Sequence, residues 1–247
     1  MMIDLERISR AHLETEPYRW AAIDELFSPQ DAAALAATFP RDHFKRLEGH
    51  DGEKAFAYEI RGLIPMGARS VSSARRLSGA WRALADELRS SAYRTALSTL
   101  TGLDLSAARL EVNIFDYPPG GTLEAHPDHR SKIVTHVMYL NESWNDDDGG
   151  CLTILRSSDP RDIAARISPR LANSAVLVRS DDSWHAVGEV VKSCRRSRRS
   201  VTATFYGPGD VSTLWPRWDR ALRHAGARRW RRLWGRLRGS AARLGEA

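Results

Sequence analysis

Cysteine is scarce: Cys151 and Cys194 are the only two in 247 residues. That excludes a disulfide framework and a cysteine-rich zinc or iron–sulfur site, and two thiols suit a reducing compartment. Long hydrophobic runs are missing as well. No stretch approaches the roughly 18 apolar residues that a membrane-spanning helix needs. The opening, Met1-Met2-Ile3-Asp4-Leu5-Glu6-Arg7, is charged from its fourth residue and lacks the apolar stretch of a secretory signal. The expectation is a cytoplasmic protein that could sit at the membrane periphery through its tail.

What is present is ordinary for a soluble globular chain: 42% hydrophobic and 28% charged residues. A disordered or collagen-like chain is excluded, and 247 residues suffice for a sizeable core. The net charge of +6 is unevenly spread. Residues 215–247 hold ten arginines against Asp219 and Glu246, a charge of +8, so the preceding 214 residues carry −2. The basic character belongs to the tail and is no argument for nucleic-acid binding by the body. A smaller basic cluster comprises Lys192, Arg195, Arg196, Arg198 and Arg199.

Three regions emerge along the chain. Residues 1–105 read as a mixed, mostly helical support. Trp20–Phe27 suits a short strand, and Ser28-Pro29 opens a helix that stops before Pro40. Residues 41–70 show no clear period. Ser72 or Ser73 caps a longer helix with Leu77, Trp81, Leu84 and Leu88 at helical spacing, ending near Gly102. Residues 106–209 are short strands between turns: Leu110–Tyr117, Ile133–Leu140, Cys151–Leu155, Ser174–Val178 and Arg199–Tyr206. In the first, Leu110, Val112 and Ile114 share one face, and Asn113, Phe115 and Tyr117 the other. Strands at such spacing predict a sandwich or barrel. Residues 210–247 form a basic amphipathic tail. Its Arg228–Leu244 segment reads as a helix with Trp230, Leu233, Trp234 and Leu237 on one stripe.

One constellation carries chemistry. His126-Pro127-Asp128 follows a Pro/Gly turn, and His185 follows another. Two imidazoles and a carboxylate can occupy one face of an octahedral iron(II). On a strand, residues two apart point the same way, so His126 and Asp128 can reach one metal while His185 comes from another strand. His-x-Asp recurs by chance, so the pair alone establishes nothing. His136 alternates with Val134, Met138 and Leu140 and reads as a core histidine. His12, His43, His50 and His224 have no partner spacing.

The order of features is more specific. Tyr117-Pro118-Pro119-Gly120-Gly121 precedes His126-Pro127-Asp128. Then come Val134-Thr135, Tyr139-Leu140-Asn141, Ser143-Trp144 and Gly149-Gly150-Cys151-Leu152, followed by His185 and by Arg199 leading a strand that ends Phe205-Tyr206. This set resembles the Fe(II)- and 2-oxoglutarate-dependent dioxygenases, within them the prolyl-hydroxylase-like branch. The resemblance covers about 100 of the 247 residues. It implies an α+β chain with a mainly β core: a double-stranded β-helix of jelly-roll or cupin-like type, with N-terminal supporting helices and a basic C-terminal helix. It implies Fe(II) on His126, Asp128 and His185, with 2-oxoglutarate and O2 as co-substrates and ascorbate as a reductant. Arg199 would pair with the distal carboxylate of 2-oxoglutarate, with Arg198 as the fallback on the opposite strand face. Tyr139 would donate a hydrogen bond to the same carboxylate, and Tyr117, Val137 and Leu152 would line that pocket.

The implied activity is hydroxylation of an unactivated C–H of an amino acid, a peptide-borne residue or a small metabolite, with release of succinate and CO2. Asn113, Phe115, His129 and Arg195 are candidates for the substrate side. Two alternatives stand beside it: a non-catalytic binding or scaffold protein on the same fold, and a cupin-like metal enzyme independent of 2-oxoglutarate. The tail could pack on the core, meet a membrane surface, or bind an anionic carrier; no nucleic-acid partner is expected.

Overall fold

A computed structural model of the chain describes residues 2–50, 54–68 and 70–214. Residues 1–210 form one compact unit, and a second unit begins at Val211. The tail helix expected over Arg228–Leu244 lies outside the described residues.

Among the described residues, four α-helices precede residue 106: α1 (Leu5–Arg10), α2 (Pro29–Ala37), α3 (Gly79–Leu88) and α4 (Ser91–Thr101). Each starts on a residue chosen by hydrogen bonding. The side chains of Asp4, Ser28, Ser78 and Ser90 accept from the backbone N–H three residues on, satisfying a donor the helix cannot. The single helix expected from Ser72 to Gly102 is corrected by these caps. Ala74–Arg76 forms only a 3-10 turn, Ser78 starts α3, and Ser90 starts α4. Gly102 ends α4 at φ 68°, a conformation that glycine adopts freely.

The strands are β1 (Trp20–Ile23), β2 (Lys45–His50), β3 (Ala55–Ile64), β4 (Arg109–Tyr117), β5 (Thr122–His126), β6 (Lys132–Tyr139), β7 (Leu152–Leu155), β8 (Ile163–Ile167), β9 (Ser174–Val178), β10 (His185–Val187) and β11 (Arg198–Tyr206). All the strand pairings are antiparallel, in the order β1-β9-β6-β11-β4-β3-β5-β10-β7-β8, with β2 on β3. The sheet curls into a double-stranded β-helix. A larger face runs from β1 to β3, a smaller one from β5 to β8. The β2–β3 hairpin falls in the stretch that showed no period. Strand β3 pairs with both β4 and β5, and its buried residues fall at both odd and even positions. Phe56, Tyr58 and Ile60 share one apolar face, but Arg61 and Leu63 on the other face are buried as well, which blurs the alternation.

Alternation is clear elsewhere and divides the molecule into layers. Val112 and Ile114 of β4, Val134 and Met138 of β6, Val176 and Val178 of β9, and Val201, Ala203 and Phe205 of β11 belong to one buried cluster with Trp81, Leu84, Leu88, Tyr93 and Leu97 of the helices. Burying one such side chain stabilises the fold by about 1.5–3 kcal/mol, so the helices are held by the outer face of the larger sheet. Asn113, Phe115, Tyr117, Thr135, Val137, Tyr139, Arg198 and Ser200 take the other face, toward the barrel interior.

His136 sits within the helix-facing layer, as its alternation predicts. It is fully buried, its ring stacks on Tyr93 with centroids 6.0 Å apart, and its Nδ1 lies 2.8 Å from the Tyr93 hydroxyl. Burial pushes the imidazole down to about 3. The unfolded chain takes up this proton near pH 6.5, while the folded chain refuses it until about 3. Stability from this residue is therefore complete above 6.5 and is lost as pH falls through that window, by about 1.4 kcal/mol per pH unit. Urea unfolding at several pH values should show a steeper loss of stability in the natural chain than in Tyr93→Phe/His136→Leu, which removes both polar partners together.

Candidate active site

Strand pairing assembles the site. In the β5–β10 ladder His126 is the direct cross-strand partner of His185, and Ile154 of β7 flanks His185 on the other side. Cross-strand partners point to one face, and the two imidazole centroids lie 4.5 Å apart. His126 is the last residue of β5, and Asp128 lies just past the strand end rather than within it. One ligating atom from each of His126, Asp128 and His185 lies within 4.8 Å of the others, and all three residues are buried.

Each side chain is held by a second contact. His126 Nδ1 lies 2.8 Å from the Glu124 carbonyl oxygen, and His185 Nδ1 lies 2.8 Å from that of Ser183. A carbonyl only accepts, so both Nδ1 atoms carry the proton and both Nε2 lone pairs are left for a ligand. The Ser183 carbonyl is placed by a turn in which Ser183 Oγ donates to the Ser180 carbonyl at 2.7 Å and accepts from the Ser180 N–H at 3.1 Å. Asp128 accepts from Lys132 Nζ at 2.5 Å and from Thr135 Oγ1 at 2.8 Å. Burial alone would raise its carboxyl, but the charge and hydrogen bond of Lys132 hold it well below the usual carboxylate range. Burial lowers both histidines, and His185 and Lys54 add repulsion at His126. The result is two neutral imidazoles beside one carboxylate anion, the protonation states that bind a divalent metal.

A second buried group lies on the facing sheet. Ser200 is the cross-strand partner of Tyr139, so the even-numbered residues at the start of β11 share the Tyr139 face. Arg198 is 2% exposed. Its guanidinium carbon lies 4.9 Å from the Tyr117 ring and 5.1 Å from the Tyr139 ring. Its Nε donates to the Gly150 carbonyl at 2.7 Å and its Nη1 to Ser200 Oγ at 3.3 Å. Among the described residues no carboxylate pairs with it. The Tyr139 hydroxyl is buried without a hydrogen-bond partner, and burial pushes it up to about 12.

The expectation for Arg199 is thereby corrected in position. Arg199 shares its face with Val201, Ala203 and Phe205, toward the helices, and its guanidinium carbon lies 4.9 Å from the Phe39 ring. The one-residue shift places Arg198 beside Tyr139. Tyr117 and Tyr139 do meet around Arg198. Val137 and Leu152 are buried on β6 and β7. Asn113 and Phe115 lie on the Tyr117 face, with Phe115 against Tyr58 at 5.3 Å. His129 is exposed and bound to Ser131 Oγ at 2.8 Å. Arg195 is exposed and lines a different cavity with Arg199. The sequence reading missed Lys132, whose contact with Asp128 spans one turn of an irregular loop, and Tyr58, which belongs to the concealed β3.

Residues 112–206 match the family model described as the 2OG-Fe(II) oxygenase superfamily. That segment, less than half of the chain, is similar to the superfamily. The matched segment contains His126, Asp128, Tyr139, His185 and Arg198. The chain resembles a prolyl-4-hydroxylase from Pseudomonas putida at 21% identity, covering 82% of this chain and 96% of that one, with a TM-score of 0.54. A prolyl 4-hydroxylase from Phytophthora capsici matches at 19% identity over 87% of this chain and 69% of that one, with a TM-score of 0.56. A non-heme α-ketoglutarate-dependent carbocyclase from nogalamycin biosynthesis matches at 11% identity over 81% and 85%, with a TM-score of 0.53. At these identities the likeness is one of fold. No curated relative matches the chain. No helix among the described residues is long and apolar enough to cross a membrane.

The Gly149-Gly150 turn supports Arg198. Both glycines have positive φ, 73° and 66°. A Cβ on Gly149 would meet the Glu189 carbonyl oxygen at 2.1 Å, whereas one on Gly150 would lie 3.1 Å from Trp144 and 3.2 Å from Arg198. Alanine at either position takes on about 1–3 kcal/mol of positive-φ strain, and Gly149→Ala, at ψ −149°, adds a backbone clash worth about 1–3 kcal/mol. Urea unfolding should rank Gly149→Ala as the less stable variant.

Proposed function

We propose that His126, Asp128 and His185 hold iron(II), that Arg198 and Tyr139 bind the distal carboxylate of 2-oxoglutarate, and that the enzyme hydroxylates an unactivated C–H of an amino acid, a peptide-borne residue or a small metabolite. The observation that carries this reading is the pairing of two incomplete groups in one barrel. One is a buried cluster of two lone pairs and a carboxylate. The other is a buried guanidinium without a counter-anion beside a tyrosine hydroxyl without an acceptor. Buried polar groups of this kind are normally satisfied, and a dicarboxylate that also reaches the metal would satisfy both.

The donor set fits the metal. Two imidazole nitrogens and one carboxylate leave positions open for a chelating keto acid and for O2. Asp128 already serves Lys132 and Thr135, but a carboxylate offers about four lone-pair sites, so an acceptor position remains. Bound iron supplies the one-electron and O2 chemistry that protein side chains lack. The chain's own residues bind and orient. Arg198 neutralises the distal carboxylate, and the Gly150 carbonyl and Ser200 hydroxyl hold its fork in place. Tyr139 donates a hydrogen bond from a hydroxyl that burial keeps protonated at neutral pH. The aromatic wall of Tyr58, Phe115 and Tyr117 keeps that end of the barrel dry. The prolyl-4-hydroxylase likeness supports a peptide-borne or amino-acid C–H as substrate, and the carbocyclase likeness is the reason the substrate class is kept broad.

Two measurements test the reading. Asp128→Ala and His185→Ala should each abolish succinate formation from 2-oxoglutarate and lose anaerobic Mn(II) binding, with melting within a few degrees of the natural chain. Turnover retained by either variant refutes the metal assignment. Arg198→Ala should raise KM for 2-oxoglutarate by about 30- to 160-fold, the equivalent of about 2–3 kcal/mol for charge-assisted hydrogen bonds. Arg199→Ala should leave KM near its original value, and the reverse order refutes the strand-face assignment.

A further inference from the structure

A cavity of about 470 Å³ opens on the outer side of the barrel wall, next to the Arg198 end of β11. Arg195, Arg196 and Arg199 line it with Ser143, Ser197 and one carboxylate, Glu142. The three guanidinia are not equally committed. Arg196 Nη2 donates to Asp148 at 2.7 Å and its Nη1 to Ser143 Oγ at 3.1 Å. Arg195 and Arg199 make no ion pair with any described residue. The Arg199 Nε is buried without a hydrogen-bond partner. Asp116, its cross-strand neighbour on β4, is close enough to feel its charge but makes no ion pair with it, and the Asp116 Oδ1 is also buried without a hydrogen-bond partner. The backbone around Arg199 is fixed: its N–H donates to Asn141 Oδ1 at 3.0 Å, and its carbonyl accepts from the Leu140 N–H at 3.1 Å. A guanidinium is thus held at the wall of a small-molecule-sized cavity with a donor unused, and a second guanidinium stands beside it.

We propose that this cavity binds a small oxyanion, a phosphate or carboxylate group, through Arg195 and Arg199, at a site separate from the Arg198–Tyr139 pair. Planar guanidinium forks match the two-oxygen edge of either anion, and the Ser197 and Ser143 hydroxyls add neutral donors. The two sites lie on opposite faces of β11 because their arginines are consecutive residues of one strand. Nothing in the metal chemistry uses this outer cavity.

Calorimetric titration of the full-length protein with inorganic phosphate, and separately with the tricarboxylate tricarballylate, tests the site. The expected result is a saturable site whose affinity falls tenfold or more in Arg199→Met and in Arg195→Met and is unchanged in Arg198→Met. Anion uptake by the arginine-rich residues 215–247 is common to all these proteins, so the difference isolates the cavity. The tighter of the two probes tells a phosphate site from a carboxylate site. If Arg199→Met melts too early to titrate, the exposed Arg195 decides alone. Unchanged affinity in the arginine variants, equal loss in Arg198→Met, or no saturable binding overturns the proposal. KM for 2-oxoglutarate is not read here, so failure leaves the proposed co-substrate site untouched.

Discussion

The antiparallel register between β5 and β10 is the constraint on which the site depends. It sets His126 directly opposite His185 although the two are far apart in sequence. A slip of one residue would turn one imidazole to the other face of the sheet. Short strands specify register weakly by themselves, and β10 has only three residues. Its register is enforced from both sides, by β5 and by β7, and by the Ser180–Ser183 turn that delivers the chain to His185.

The same alternation organises the larger sheet. One face of β4, β6, β9 and β11 is apolar and covered by helices, and the other is aromatic and polar and faces the barrel interior. Burial on the first face provides the stability that allows costly groups on the second. An arginine that is 2% exposed, an unsatisfied tyrosine hydroxyl and a buried carboxylate would each destabilise a small fold. They persist because the helix layer offsets them, and because Arg198 retains donors to Gly150 and Ser200 and two aromatic faces. Buried groups short of partners are where a ligand gains most, so the polar interior is both the unstable and the functional part of the barrel.

Electrostatics favours readiness for a metal. Burial keeps His126 and His185 neutral, and Lys132 keeps Asp128 ionised. These states are established by the protein matrix alone. His136 has the same residue type and also a lowered pKa, yet it lies in the helix-facing layer against Tyr93. Layer, not residue identity, separates the two roles.

Several features were legible in the sequence because they depend on local patterns. The Ser28-Pro29 cap, the alternation over residues 110–117, the strand Ser174–Val178 and the core role of His136 all follow from spacing and residue type, whereas His126, Asp128 and His185 are singled out by an ordered family resemblance. The long helix failed locally, since Ser78 and Ser90 offered caps that outcompeted a continuous turn. The β2–β3 hairpin was hidden because β3 bridges both halves of the barrel and has no simple polar face. The choice between Arg198 and Arg199 was not local at all. Four arginines crowd residues 195–199, and any of them can begin a strand. Only pairing with β6, where Ser200 meets Tyr139, decides which one enters the barrel. The residue types needed for the chemistry were thus set by the sequence itself. Which of two adjacent arginines faces the interior was decided by tertiary structure, because a strand's face is defined only by the strand beside it.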